Sequence, residues 1–390
     1  MPKNSFRFPK LTIASFLLTL GSANLFAQIP EGAIPATTNI NPGSCPCIME
    51  DLRVLFRLNA PNVSNAQIDI GGKLYDMKKE GDGNWAVTVD PQDPGFHYYS
   101  LVIEGLKVAD PASESFYGMG RMASGIDIPE AGVDFYDLKE VPRGEIRSID
   151  YYSKTTQSWR KANIYTPPGY DQNSDKKYPA LYIHHGGGED ERGWAVQGKT
   201  NLILDNLIAA GKAVPMIVVI PNGNVTKPGT AARGYSDEAM EIFKEEMFEN
   251  LIPIVEKRYR IAADPKQRAI AGLSMGGGQA FYTGLRNREH FDYVGIFSTG
   301  LFGGIREAAA DFDPESIIPG MLSASGSFNN SLKVLYISVG EQDMRINATK
   351  KLIEKLESNS VNVDFASFPG DHEWQVWRKS LHDFAQRIFR

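Results

Sequence analysis

A serine with a glycine two residues to either side, Gly272-Leu273-Ser274-Met275-Gly276, is the stretch of this 390-residue chain best suited to nucleophilic chemistry. An apolar run, Arg268-Ala269-Ile270-Ala271, leads into it, and a helix-compatible stretch from Gly277 to Arg286 leads out. Strand, tight turn and helix in that order would hold the serine in a strained conformation with its hydroxyl exposed above a sheet. Small neighbours are needed because the two backbones approach closely there. A serine hydroxyl is a weak nucleophile at its ordinary pKa. It needs a base to take its proton and N–H donors to hold the oxyanion. A glycine-rich turn that merely joins a strand to a helix is the plain alternative, so the partners decide the reading.

The base should be an imidazole, which can take and return a proton near neutral pH. Of six histidines, His290, His372 and His382 follow Ser274. In an α/β-hydrolase the chain order is serine, acid, histidine. His290 comes too soon to leave room for an acid, and His382 sits in a C-terminal helical pattern. His372 follows the strand-like run Val363 to Phe368 and the turn Pro369-Gly370-Asp371. It therefore belongs on a loop at a strand's C-terminal end, where the chemistry of parallel sheets collects.

The acid must hold the imidazole in one tautomer. The apolar strand Val334 to Val339 ends in Gly340-Glu341-Gln342-Asp343, which makes Asp343 the candidate and Glu341 the alternative. One oxyanion N–H should come from Met275, just after the nucleophile. The second should come from His184-His185-Gly186-Gly187-Gly188, with Gly187 the assigned donor and Gly186 the alternative. His184 and His185 do not read as a metal pair, because adjacent residues on an extended chain point opposite ways. The chemistry calls for no metal and no organic cofactor.

These groups need a scaffold. After Val141 strand-like runs alternate with helical patterns: Pro179 to His184, Asn201 to Ala210, Met216 to Ile220, then a long amphipathic helix within Asp237 to Arg258. The elbow strand and helix follow, then Tyr293 to Phe297, Val334 to Val339, a helix near Ala348 to Ser358, and Val361 to Phe368. Such alternation implies a mostly parallel sheet covered on both faces. Residues 141–390 are thus expected to form an α/β-hydrolase catalytic domain. Before it, Val54 to Leu58, Ala66 to Ile70, Trp85 to Val89 and His97 to Ile103 are short strand-like runs separated by turn signals, which argues a small all-β sandwich. The lead-in and sandwich take residues 28–140, and the glycine-rich stretch 112–142 reads as an irregular crossing between domains.

Residues 1–27 read as a secretory signal peptide: Lys3, Arg7 and Lys10, an apolar run from Leu11 to Leu20, then small residues to Ala27. The run is short for a membrane-spanning helix. A secreted or periplasmic protein without a stable membrane anchor is expected. Its removal would leave a chain more acidic than the net −6 of the whole. With no long basic run, nucleic acid is not an expected partner. Cys45 and Cys47, the only cysteines, are two apart; a bridge would close a very small loop, and no role is assigned to them.

The region from about 145 to 390 resembles carbohydrate esterase family 1, which holds feruloyl esterases, acetyl xylan esterases and enterochelin-esterase-like enzymes. The carrying residues are Tyr178 to Glu191 with Trp194, Pro221-Asn222-Gly223, Ala271 to Gly277, Gly340 to Asp343 and Gly370-Asp371-His372-Glu373-Trp374. The resemblance implies Ser274, Asp343 and His372 as a triad, and Trp194 and Trp374 near the mouth of a substrate site. It implies a secreted serine esterase acting on a polysaccharide or oligosaccharide ester, with feruloyl-arabinoxylan as best guess and acetyl xylan or a catecholate siderophore ester as alternatives. A non-catalytic carbohydrate-binding protein is the alternative of another class.

The N-terminal part is similar to the immunoglobulin-like modules of glycogen-branching enzymes, on Gly83-Asn84-Trp85, Pro94 to Tyr99 and Val108 to Pro111. In glucan-binding members exposed aromatics stack on sugars. Trp85, Tyr98 and Tyr99 are the residues placed to do so here, and filling the sandwich core is the favoured role for Trp85 and alternate aromatics. From Leu301 to Phe328, small residues are expected to shape the acyl pocket.

Overall fold

The computed structural model describes residues 29–81, 83–304 and 312–390. The leader expectation for residues 1–27 lies outside them. Among the described residues no helix is long and apolar enough to cross a membrane.

Residues 34–128 form two antiparallel sheets. They close on one apolar core that includes Phe56, Ile68, Trp85, Tyr99, Leu101 and Ile126. The central strand Gly95–Ile103 explains how this unit meets the rest. Side chains alternate across a strand. Tyr99, Leu101 and Ile103 face the unit's own core. Phe96 and Tyr98, on the other face, join an apolar layer of the C-terminal part of the chain. Trp85 and Tyr99 are therefore buried in the core and offer sugars no platform.

The stretch expected to cross irregularly between domains instead contains a hairpin, Ser115–Gly118 paired with Arg121–Ile128. Its glycines, which disguise it as loop, make room for those outward rings. A Cβ at Gly118 would lie 2.2 Å from the Tyr98 hydroxyl, and one at Gly125 would lie 2.4 Å from the Phe96 ring. Cys45 and Cys47 form a disulfide. The chain turns at Pro46 and brings their Cα atoms to 4.5 Å, close enough to bridge.

The C-terminal sheet has eight strands. In spatial order they begin at Glu145, Ser158, Ile217, Ala180, Arg268, Tyr293, Val334 and Asp364. The first two pair antiparallel and the last six run parallel. The parallel strands through the middle are buried along their whole length, as continuous apolar runs require when helices cover both faces. One layer holds Phe243, Met247, Val255, Phe281, Leu285 and Leu356. The other holds Ile203, Leu204, Leu207, Trp377, Leu381 and Phe384.

The long helix expected within 237–258 is broken into Asp237–Glu245, a π-helical Glu246–Leu251 and Ile252–Arg258. Pro253, which lacks an N–H, opens the last piece. The wide turn carries Glu246 inward, where its carboxylate accepts hydrogen bonds from Tyr151 and Ser153.

Candidate active site

The elbow is built as its sequence demands. Ser274 lies between the strand Arg268–Leu273 and the helix Met275–Arg286, with φ 73° and ψ −102°. That left-handed conformation costs a non-glycine residue on the order of 1–3 kcal/mol and must be held by its surroundings. A Cβ at Gly272 would lie 2.4 Å from the Gly276 backbone, and one at Gly276 would lie 2.5 Å from the His184 carbonyl, so larger residues cannot close this turn. Hydroxyls of Tyr235 and Thr299 each donate to the Ser274 carbonyl at 2.9 Å and brace it.

Three side chains from separate strand ends meet here. His372 Nε2 is 3.0 Å from Ser274 Oγ, and His372 Nδ1 is 2.7 Å from Asp343 Oδ2. The other Asp343 oxygen accepts the Arg345 backbone N–H at 3.0 Å and its guanidinium at 2.9 Å. Burial raises the Asp343 pKa, but the bonds from His372 and Arg345 outweigh it and leave the carboxyl below its ordinary value. Glu341, the alternative acid, points to solvent. His290 and His382 lie elsewhere, against Phe248 and Phe135.

Two backbone N–H groups next to Ser274 are the candidates to hold an oxyanion. Met275 opens its helix, so its N–H has no intrahelical acceptor. Gly187 lines the cavity beside Ser274, and a Cβ there would meet nothing within 4 Å. The Gly186 N–H, by contrast, is already given to Glu189 Oε2 at 3.2 Å. His185 fixes this loop from below: Nδ1–H donates to the Gly186 carbonyl at 2.7 Å, and Nε2 accepts the Gly223 N–H at 2.8 Å. Burial lowers its pKa and keeps it neutral. His184 points the other way, against Phe243, so the adjacent histidines do not converge.

The cavity over Ser274 has a volume of about 260 Å³. Its wall is largely aromatic, with Phe96, Tyr98, Trp374 and Trp377. Three of its residues, Phe96, Tyr98 and Met119, come from the N-terminal unit. None of the described residues between 301 and 328 lines it; Phe302, Met321 and Phe328 sit in the core instead. Residues 305–311 lie outside the described residues. Trp374 reaches the cavity wall, whereas Trp194 is wholly buried beneath it, edge-on to Trp374 at 5.2 Å, with its indole N–H given to the His184 carbonyl. Trp194 is thus a support and not a mouth residue, because its polar atom is spent inside the fold.

Sequence reasoning missed a second polar cluster. Glu189 is buried beside the oxyanion loop, where loss of solvent pushes its pKa up to about 7 despite the Gly186 N–H. Tyr98 Oη donates to Glu189 Oε1 at 3.3 Å and accepts from Gln197 at 2.9 Å and the Trp374 indole at 3.2 Å. His97, next along the strand, pairs through Nδ1 with Glu373, the neighbour of His372, at 2.9 Å. The only signal of this in the sequence was the aromatic run Phe96-His97-Tyr98-Tyr99 itself.

An eight-stranded sheet of this order, with a strained serine elbow and Ser274, His372 and Asp343 brought within hydrogen-bonding reach at its strand ends, is a fold of the α/β-hydrolase class. The Esterase family model matches residues 153–388, more than half of the chain, and the chain belongs to that family of carboxylic ester hydrolases. An endo-1,4-beta-xylanase/feruloyl esterase of Xylanibacter ruminicola is 32% identical over 373 residues, covering 92% of this chain and 48% of that protein. Endo-1,4-beta-xylanase Y of Acetivibrio thermocellus is 29% identical over 59% of this chain and 22% of its own length. The chain thus spans about half or less of these curated relatives. Among solved structures, a family 1 ferulic acid esterase of Anaeromyces mucronatus with bound ferulic acid aligns at TM-score 0.56 and 29% identity, over 66% of this chain and 96% of that one. Enterobactin esterase of Shigella flexneri aligns at TM-score 0.64 over 86% of this chain and 92% of its own, but at 18% identity it speaks for the fold alone.

Proposed function

We propose that the protein is an exported serine esterase that releases hydroxycinnamoyl groups, feruloyl foremost, from plant cell-wall polysaccharide. The observation that carries the reading is an aromatic-walled cavity of about 260 Å³ directly over Ser274 Oγ and His372 Nε2. An acetyl group would leave most of that space empty, whereas a flat aromatic acyl group would fill it against Phe96 and Trp377. The relatives named for xylan and ferulic acid point the same way.

The Ser274 hydroxyl attacks the ester carbonyl as its proton passes to His372 Nε2. Asp343, accepting from Nδ1–H, fixes the tautomer and balances the imidazolium. The N–H groups of Gly187 and Met275 hold the oxyanion. His372 then gives the proton to the departing sugar oxygen, leaving an acyl group on Ser274. A water deprotonated by His372 attacks the acyl carbon, and the proton returns to Ser274 Oγ as the acid leaves.

Export is supported by the charged and apolar order of residues 1–27 and by the Cys45–Cys47 disulfide, which suits an oxidising compartment. The N-terminal unit is read as an immunoglobulin-like module whose outward strand face completes the acyl cavity. The test is a panel of methyl ferulate, acetylated xylan and a catecholate siderophore ester. The reading expects turnover of the first to exceed the other two and to vanish in Ser274→Ala. Preference for acetylated xylan or the siderophore would overturn it.

A further inference from the structure

A second cleft, of about 670 Å³, opens beside the catalytic cavity and is lined in part by Trp159, Asn163, Asn222 and Asn224. One loop separates the two. Gly186, Gly187 and Glu189 face the catalytic cavity, and the residues that follow, Asp190, Glu191 and Arg192, face the cleft. The Asn224 side chain donates to the Glu189 carbonyl at 2.9 Å and ties the cleft floor to that loop. Trp159 stands at the cleft with 72% of its surface exposed, at the catalytic end of the edge hairpin. Tyr152, its cross-strand partner, packs edge-on to the indole at 5.9 Å and sets its orientation.

We infer that this cleft holds the sugar chain of the substrate, with Trp159 as the stacking platform for a neutral oligosaccharide. The inference rests on the esterase reading above. Trp159 and the half-exposed Tyr152 together present an aromatic patch at an open cleft that is otherwise polar, which suits a ring with apolar C–H faces and hydroxyl edges. Asp150, Asp190 and Glu191 balance Arg160, Lys161 and Arg192, which favours a neutral chain over an acidic one. The position fits the chemistry. An acyl group is a branch, so once it enters the small cavity the polymer must continue past the rim, and this cleft flanks the loop that forms the rim. The aromatics first considered for sugar contact, Trp85 and Tyr99, are buried, and Tyr98 is committed to Glu189.

The test uses the full chain made inert by Ser274→Ala, so binding is read without turnover. Calorimetric titration with linear, unesterified xylo-oligosaccharides should show binding. Adding Trp159→Ala, a change at an exposed position, should weaken it by about tenfold or more. Adding Leu138→Ala, at another exposed apolar residue, should leave it unchanged. No binding by the inert parent, or equal affinity with and without Trp159, would overturn the cleft assignment. Ester turnover by the wild-type chain decides the esterase reading separately, so either can fail alone.

Discussion

At Asp343 a carboxylate has both oxygens committed, one to His372 and one to Arg345. Replacing it by Asn keeps the shape but gives His372 the wrong tautomer. We expect Asp343→Asn to lower kcat by about 10³–10⁴ with little change in thermal midpoint, measured by methyl ferulate hydrolysis and calorimetry. Glu189 is strained in the opposite sense. Its folded pKa of about 7 stands above the ordinary 4.5, so the folded state holds a proton the unfolded state has lost. Stability from this group is present below pH 4.5 and is lost as pH rises toward 7. Glu189→Gln should therefore raise the melting temperature at pH 8, by at most ~3 kcal/mol of stability, and converge on wild type at pH 4. A wild-type advantage at pH 8 would contradict this. Ser274, Asp343 and His372 were legible in the sequence because each sits at a fixed place after a strand. Glu189 was not, because its significance comes from burial under a tyrosine from another domain.

Among elements, the Gly95–Ile103 strand does most to join the two halves, with one face in its own core and one in the catalytic layer. Sequence pattern located this strand but could not tell which of its faces was free, and it read the hairpin behind it as loop because Gly118 and Gly125 look like punctuation. Their role is clearance for Tyr98 and Phe96. Gly118→Val should drive the Tyr98 ring from its place, costing about 1–3 kcal/mol by chemical denaturation and raising KM for aromatic esters more than it lowers kcat. The broken helix at 246–251 was likewise hidden, since an amphipathic stripe runs through a π turn almost undisturbed.

For the whole molecule, the two halves are welded by buried charge. Arg378, fully buried, pairs with Asp127 at 2.6 Å, and Lys199 reaches the same carboxylate at 2.8 Å. Burial raises the Asp127 pKa, but Arg378 and Lys199 overcome it and hold the group at about 2. Removing Asp127 leaves the fully buried Arg378 guanidinium without its carboxylate. Asp127→Ala should destabilise the chain by about 3–5 kcal/mol, read as a drop in the denaturation midpoint. With Asp127 intact, stability from this group is present above pH 3.8 and fades as pH falls toward 2. The change from short strand-like runs to alternating strands and helices was readable in the sequence, but the Asp127–Arg378 pair was not, because its members are 251 residues apart in the chain.

The central claim is that Ser274 is a nucleophile primed by His372. Reaction of the full chain with a fluorophosphonate, followed by mass mapping of the adduct, tests it most directly. The account predicts a single adduct on Ser274 whose formation slows by about 10³-fold or more in His372→Ala. An adduct on another residue, or labelling at an unchanged rate without His372, would contradict it.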